Sequence, residues 1–306
     1  MNEQQIIKLE KIIGYEFKDK NLLIQSFTRK SYSNEHKDIK NNKCLEFIGD
    51  EAIDVIVAKK LCEKFGTYKN GFSFNSFDEG TMTMIKSNLV DRDTLSTRIK
   101  ELGLSNFLLM GEGDKKEDVD TKEKTKEDLF ESIIGAVVID SKWNYEEIEK
   151  VIVKMLNLNY FLSNIQSFLE EKEDYQCLVR MWLQKENIYS KKLFSFNNED
   201  KNKIIATIRI SDEECHAEGD SQEKAKKDCF NKAYKIIKEK GWVLCTAPLS
   251  LDQGAIAMMD GFHGIHPSAP LQSHRRGFSD EIHIRGETRS SEAAQGKRNL
   301  QISERI

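Results

Sequence analysis

Glu46 and Asp50 sit inside the run CLEFIGDEAIDVIVAKKL, Cys44 to Leu61, which reads as a helix apolar on nearly every side. Glu46 and Asp50 are four residues apart, so they share a helix face with Ile53 and Val57. Burying a charge without a partner costs several kcal/mol even after relaxation, so something must offset that cost. A second pair stands in KEDLFESIIGAVVID, where Asp128 and Glu131 are three apart among Leu129, Phe130, Ile133, Ile134, Val137, Val138 and Ile139. Four converging carboxylates describe a site for a hard cation, Mg2+ or Mn2+, with positions left for water and phosphate. Such an ion lowers the pKa of a bound water and neutralises phosphate charge, and that chemistry needs no histidine base. Before residue 250 the chain has only His36 and His216, neither near these acids in sequence.

An acid pair on a helix is more commonly a solvated edge or half of a salt bridge. Two pairs on two otherwise apolar helices argue against that reading. A di-iron helical bundle is the competing metal arrangement, but it requires a Glu-x-x-His motif that neither acid-bearing helix contains.

The acids must be held by two helices that approach closely. Each pair has a glycine beside it, Gly49 between Glu46 and Asp50 and Gly135 one turn beyond Glu131. Glycine costs a helix about 0.5–1 kcal/mol relative to alanine, and its usual return is close backbone approach. Around these helices, IIKLEKII, NLLIQSF, MIKSNLVDRDTLSTRIKEL and YEEIEKVIVKML repeat apolar residues at three- and four-residue spacing. Residues 1–165 are therefore expected to be helical throughout, with loops at GTYKNGFSFNSFDEG and at the charge-dense EGDKKEDVDTKEKTKED. From residue 172 the rhythm changes. DYQCLVRMWLQKE predicts a helix, LFSF, KIIATIRI and ECHAEG predict strands with NNED as a turn, and SQEKAKKDCFNKAYKIIKEK predicts a closing helix. The order is α-β-β-β-α.

All three prolines lie after residue 247, and arginine replaces lysine as the main base after Leu249. That stretch shows no helical or strand period and is expected to be disordered. Of the 306 residues, 39% are apolar and 32% charged, enough for real cores and for two domains. The net charge of −4 does not by itself advertise a nucleic-acid partner. MNEQQIIKLEKII lacks the basic-then-apolar pattern of a signal peptide, and no run is long and apolar enough to span a bilayer, so no membrane association is expected. Six scattered cysteines without a Cys-x-x-Cys pair predict free thiols and a cytoplasmic protein.

The stretch LEFIGDEAIDVIVAKKL resembles the signature helix of the ribonuclease III family. FTRKSYSNE before it, DEGTMTMIKSNLV and LGLSNFLLMGEG in the middle, and EDLFESIIGAVVID after it extend the resemblance over roughly residues 3–165, in family order. The α-β-β-β-α segment is similar to the double-stranded-RNA-binding domain that follows the nuclease domain in bacterial members. The resemblance implies an all-α endonuclease domain over 1–165, a linker over 166–172, a small α+β RNA-binding domain over 173–242 and a loose tail over 243–306. It implies that Glu46, Asp50, Asp128 and Glu131 are the metal-binding catalytic acids. The implied activity is hydrolysis of double-stranded RNA with Mg2+, for which Mn2+ can substitute, leaving 5′-phosphates, 3′-hydroxyls and short 3′ overhangs. It further implies a homodimer, with Phe47 at the contact, although spacing alone fits core packing equally well. Ser31, Asn42 and Lys86 match positions near the RNA backbone in the nuclease domain, with capping or surface roles as the alternative.

The sequence departs from the family in two places. The signature usually begins Asn-Glu-Arg-Leu-Glu, and here it is Asn42, Lys43, Cys44, Leu45, Glu46. Lys43 stands where an auxiliary acid is usual. The RNA-binding helix usually opens Ser-Lys-Lys-x-Ala-Lys, and here it is Ser221, Gln222, Glu223, Lys224, Ala225, Lys226. Two lysines are lost, and Lys224 and Lys227 are the expected compensation, with Lys226 retained; the loop NNEDKNK lacks the family's Gly-Pro and His but keeps Lys201 and Lys203. Both departures mildly favour a rival from another class, a catalytically silent RNA-binding scaffold.

Overall fold

The computed structural model describes residues 1–68, 70–74, 77–188, 193–200, 203–210 and 213–244. The first part is helical: α1 (Glu3–Ile13), α2 (Lys20–Ser26), α3 (Lys30–Glu35) and α4 (Lys43–Phe65). A two-residue hairpin follows, β1 (Gly66–Thr67) with β2 (Ser73–Phe74). Then come α5 (Glu79–Val90), α6 (Arg92–Glu101), α7 (Glu112–Lys116), α8 (Glu123–Asp140), α9 (Tyr145–Leu156), α10 (Leu158–Ser163) and α11 (Ile165–Glu171). The second part is α12 (Tyr175–Lys185), β3 (Ser195–Asp200), β4 (Lys203–Ile210), β5 (Glu213–Gly219) and α13 (Gln222–Glu239).

Helix α8 is the axis of the helical part. From Asp128 to Val138 every residue is buried, and α2, α4, α6 and α9 pack around it. An apolar stretch with no polar face requires cover on all sides, and the amphipathic neighbours provide it. Helix α4 is less enclosed than its composition predicts. It buries Leu45, Gly49, Ile53, Ile56, Val57 and Leu61 but exposes Phe47 and Val55.

The expected α-β-β-β-α order is observed. Strands β3, β4 and β5 form an antiparallel sheet in sequence order. Ala206, Ile208 and Ile210 alternate toward one face of β4, as a period of two requires. They join a core with Ala225, Cys229, Phe230, Ala233 and Ile237 of α13.

Several boundaries differ from the sequence reading. MIKSNLVDRDTLSTRIKEL is two helices, because the Asp91 side chain accepts from Thr94 N at 2.8 Å and starts α6 afresh. The Gly- and Asn-rich loop contains the small hairpin, and the charge-dense loop contains α7. NNED continues β3 instead of turning, with a register irregularity between Asn198 and Asp200. The segment expected to be a linker is helix α11, whose Phe168 and Leu169 are buried. Its Gln166 donates to the Tyr234 hydroxyl of α13 at 3.1 Å, and Glu170 pairs with Lys238 at 3.1 Å. Lys201 and the tail from residue 245 onward lie outside the described residues.

Among the described residues no helix is long and apolar enough to cross a membrane. The five described cysteines, Cys44, Cys62, Cys177, Cys215 and Cys229, are free thiols.

Candidate metal centre

The two glycines set the geometry of the site. A Cβ added to Gly49 would lie 1.8 Å from the carbonyl oxygen of Glu131, and one added to Gly135 would lie 1.9 Å from that of Leu45. No side chain fits at either position, so α4 and α8 touch backbone to backbone. Glu131 is itself the residue that meets Gly49, and Glu46 follows directly on Leu45. The carboxylates are thereby drawn to the same crossing.

One oxygen from each of Glu46, Asp128 and Glu131 lies within 4.8 Å of the others. Asp128 and Glu131 are 5% and 7% exposed, and Glu46 is half-buried. Asp50 departs from the sequence expectation. It is exposed and lies outside this close set, although its charge still acts on Glu131. Like charges repel, and the position of Asp50 at the rim lets its carboxylate remain in water.

Two lysines enter the cluster. Lys43 Nζ lies 2.6 Å from Glu46 Oε2 and 3.0 Å from Asp128 Oδ2, which bridges α4 to α8. Burial works against the Lys43 charge, yet the hydrogen bonds to Glu46 and Asp128 hold its pKa above the ordinary lysine value. Lys124, one turn before Asp128, places Nζ 2.9 Å from Asp128 Oδ1 and 3.1 Å from Glu127 Oε2. The contact to Oδ1 is an ion pair without hydrogen-bond geometry. Glu127 also receives Arg92 Nε at 3.0 Å.

Glu131 is different. Its side chain makes no hydrogen bond or ion pair among the described residues. Burial pushes its carboxyl up to about 8 against the pull of Lys124, and the charges of Asp50, Glu127 and Glu46 add to the rise. A buried carboxylate left without a donor is the group a divalent cation would satisfy. The all-oxygen donor set suits a hard ion.

The other expected residues are dispersed. Ser31 donates to Asp114 Oδ2 at 2.6 Å and accepts from Gly111 N at 3.1 Å, a structural tie between the α3 and α7 regions. Asn42 is buried at 3% exposure and its amide lies 3.4 Å from Ser26 O, where a surface contact was expected. Its side chain does not cap α4. Lys86 pairs with Asp54 at 2.6 Å and ties α5 to α4. Phe47 is 71% exposed, so it takes no part in the core of this chain.

In the second part, Ser221 caps α13 by accepting from Lys224 N at 3.3 Å, and Lys224 pairs with Asp220 at 3.1 Å. Lys227 is exposed, whereas Lys226 lies 5.3 Å above the Phe196 ring. Lys203 pairs with Glu218 at 2.8 Å. Sequence reading missed Lys124 and Glu127 as members of the acid cluster. The sequence reading put Lys124 in the charge-dense loop, whereas α8 begins at Glu123 and so sets Lys124 one turn before Asp128.

The family described as Ribonuclease-III-like matches residues 19–158. A protein named Ribonuclease 3 from Treponema succinifaciens is 41% identical over 172 residues, which are 56% of this chain and 47% of that protein. The match therefore spans less than half of that relative's own length. Ribonuclease 3 of Leptospira interrogans is 30% identical over 239 residues, covering 76% of this chain and 91% of that protein. Among solved structures, the nuclease domain of ribonuclease III from Campylobacter jejuni is 31% identical, with a TM-score of 0.44, over 52% of this chain and 97% of that one. This chain belongs to the ribonuclease III family.

Proposed function

We propose that the chain is a metal-dependent endoribonuclease specific for double-stranded RNA, working as a cytoplasmic homodimer. The observation that carries this reading is the partnerless, buried Glu131 carboxylate beside Glu46 and Asp128. Glu46, Asp128 and Glu131 would hold the ion, with Asp50 joining them from the rim. Mg2+, or Mn2+ in its place, would supply Lewis acidity that makes water a nucleophile and offsets phosphate charge. The role of Glu131 requires loss of a proton that burial holds up to about 8. Hydrolysis would leave a 5′-phosphate and a 3′-hydroxyl, and two sites in a dimer would leave short 3′ overhangs.

The α-β-β-β-α part is assigned to duplex recognition. Ser221, Lys224 and Lys227 are exposed at the start of α13, where a helix N-terminus with nearby cations suits phosphate. Lys226 and Lys203 add charge nearby, and Lys201 belongs to the same proposal. In the helical part, Lys86 and Ser31 are the expected RNA-backbone contacts, each through release of its present partner. The buried Asn42 is retained only as a support for the start of α4. Phe47 is assigned to the dimer contact, in keeping with its exposure and that of Val55 two turns along the same helix.

The rival reading, a silent RNA-binding scaffold, gains from the position of Lys43 on two of the acids. Cleavage separates the two. A long labelled RNA duplex incubated with the full chain and Mg2+, with Ca2+ and Glu131→Ala as controls, should yield staggered cuts with 5′-phosphates. Binding without cleavage in both Mg2+ and Mn2+ would remove the nuclease reading.

A further inference from the structure

We infer that Lys43 is a tethered counter-cation that a divalent ion must displace, so that this chain carries its own competitor for the metal. The inference rests on the metal-dependent reading above and adds a positioning residue to it.

The Lys43 ammonium is not a bystander on the acid cluster. It contacts one oxygen of Glu46 and one of Asp128, the two acids that come from different helices. Those carboxylates also belong to the set whose oxygens lie within 4.8 Å of one another. Mg2+ binds oxygen at about 2.0–2.1 Å, in near-octahedral geometry. An ammonium hydrogen-bonded to both carboxylates occupies the space between them, so it and an ion ligated there exclude each other. Lys124 is on the other side of Asp128, on Oδ1, and belongs to the same helix as that acid. It can stay in place while Lys43 leaves.

Lys43 can leave at little cost. It is half-exposed, at the first residue of α4, with a four-carbon stem and water within reach. Its pair with the half-buried Glu46 is of the weak, partly solvated kind, and the arriving ion replaces the ammonium on the buried Asp128 carboxylate, which is left with a cation throughout. Once displaced, the ammonium remains at the rim, where the phosphate of a duplex would arrive. Lys43 thus holds the acids together when no ion is bound, lowers the affinity for the ion, and returns as a phosphate contact after displacement.

The test is divalent-ion binding by the full chain, measured by calorimetry with Mg2+ and with Mn2+ at pH 8.5. Wild type, Lys43→Met and Lys43→Arg are compared, and each is melted in chelator. Lys43→Met should bind the ion about three- to tenfold more tightly and melt at a lower temperature in chelator, while Lys43→Arg should match wild type. Equal or weaker binding by Lys43→Met overturns the proposal and leaves the metal reading intact. Binding by Lys43→Met but not by wild type supports the proposal and counts against the nuclease reading. Binding by neither overturns both.

Wild-type protein alone supplies a second measurement, should Lys43→Met not fold. Acetylation of Lys43, followed by peptide mass spectrometry against Lys64 as reference, should rise several-fold when Mg2+ replaces chelator. No rise in a protein that binds Mg2+ overturns the proposal.

Discussion

Of the three buried carboxylates on helix α8, Asp128, Glu131 and Asp140, the last two lead opposite lives. Asp140, at its C-terminal end, accepts from the Tyr15 hydroxyl at 2.9 Å and from the backbone amides of Lys18 and Asp19 at 2.8 Å each. Glu131, at its centre, accepts from nothing among the described residues. Both lie in the same apolar helix with similar exposure. Three donors make Asp140 a fastener for the chain between α1 and α2, and its charge is fully used within the fold. Glu131 is left with no donor in the fold, and burial keeps its proton on up to about pH 8. Its oxygens are not among the fully enclosed unpartnered atoms, so a ligand from outside the fold can reach them, whereas those of Asp140 are consumed by the structure.

The largest effect expected of that difference is on cleavage. Glu131→Gln should reduce Mg2+-dependent duplex cleavage by about a thousandfold or more. Its melting temperature in chelator should stay level below pH 8, where the folded carboxyl already holds a proton, and rise above it, where a buried charge is removed. A clear drop in that melting temperature would make Glu131 a structural residue after all. Asp140→Ala should do the reverse. It strands a buried hydroxyl and two amides, so chemical denaturation should show a loss of about 3 kcal/mol, with Mg2+ affinity of the folded protein unchanged.

Gly49→Ala probes the crossing that places Glu131. Its methyl group would meet a backbone carbonyl that cannot rotate away, so a loss of about 2–3 kcal/mol is expected by denaturant titration, together with weaker Mg2+ binding. A neutral result would mean that the helices slide apart freely.

The remaining effect is a pH trend. Glu131 is raised in the fold from 4.5 to about 8, so the folded state keeps a proton that the unfolded chain releases. Stability from this group is full below about 4.5 and is lost as pH rises through 8. Melting temperature in chelator should therefore fall between pH 5 and 9 by more in wild type than in Glu131→Gln. Saturating Mg2+ should cancel that excess.

The sequence made the site legible in part. Spacing paired Glu46 with Asp50 and Asp128 with Glu131, and the two glycines announced the crossing that the structure contains. Spacing carries no depth, however. It treated Asp50 as a buried partner, yet Asp50 is exposed while Glu131 is covered, because depth depends on what packs over each turn of the helix. It did not single out Asp140, whose donors arrive from residues more than 120 positions away. In the fold, helix periodicity marked most of the elements but could not see that Asp91 restarts a helix or that 166–171 is helical. A capping side chain decides the first and tertiary cover the second. Asn42 illustrates the limit of residue-by-residue resemblance, since matching a position near RNA did not make it accessible.

The paired glycines also constrain how this sequence can drift. Glu131 can be lost without harm to the chain's ability to fold, whereas Glu46 and Asp128 also carry the Lys43 bridge between α4 and α8. Neither glycine has that freedom, because the obstacle is the backbone of the opposite helix and no compensating side-chain change can remove it. Activity and architecture are therefore inherited on different residues. A descendant that abandons catalysis should shed its carboxylates while Gly49 and Gly135 persist, so that the glycine pair outlasts the chemistry it once served.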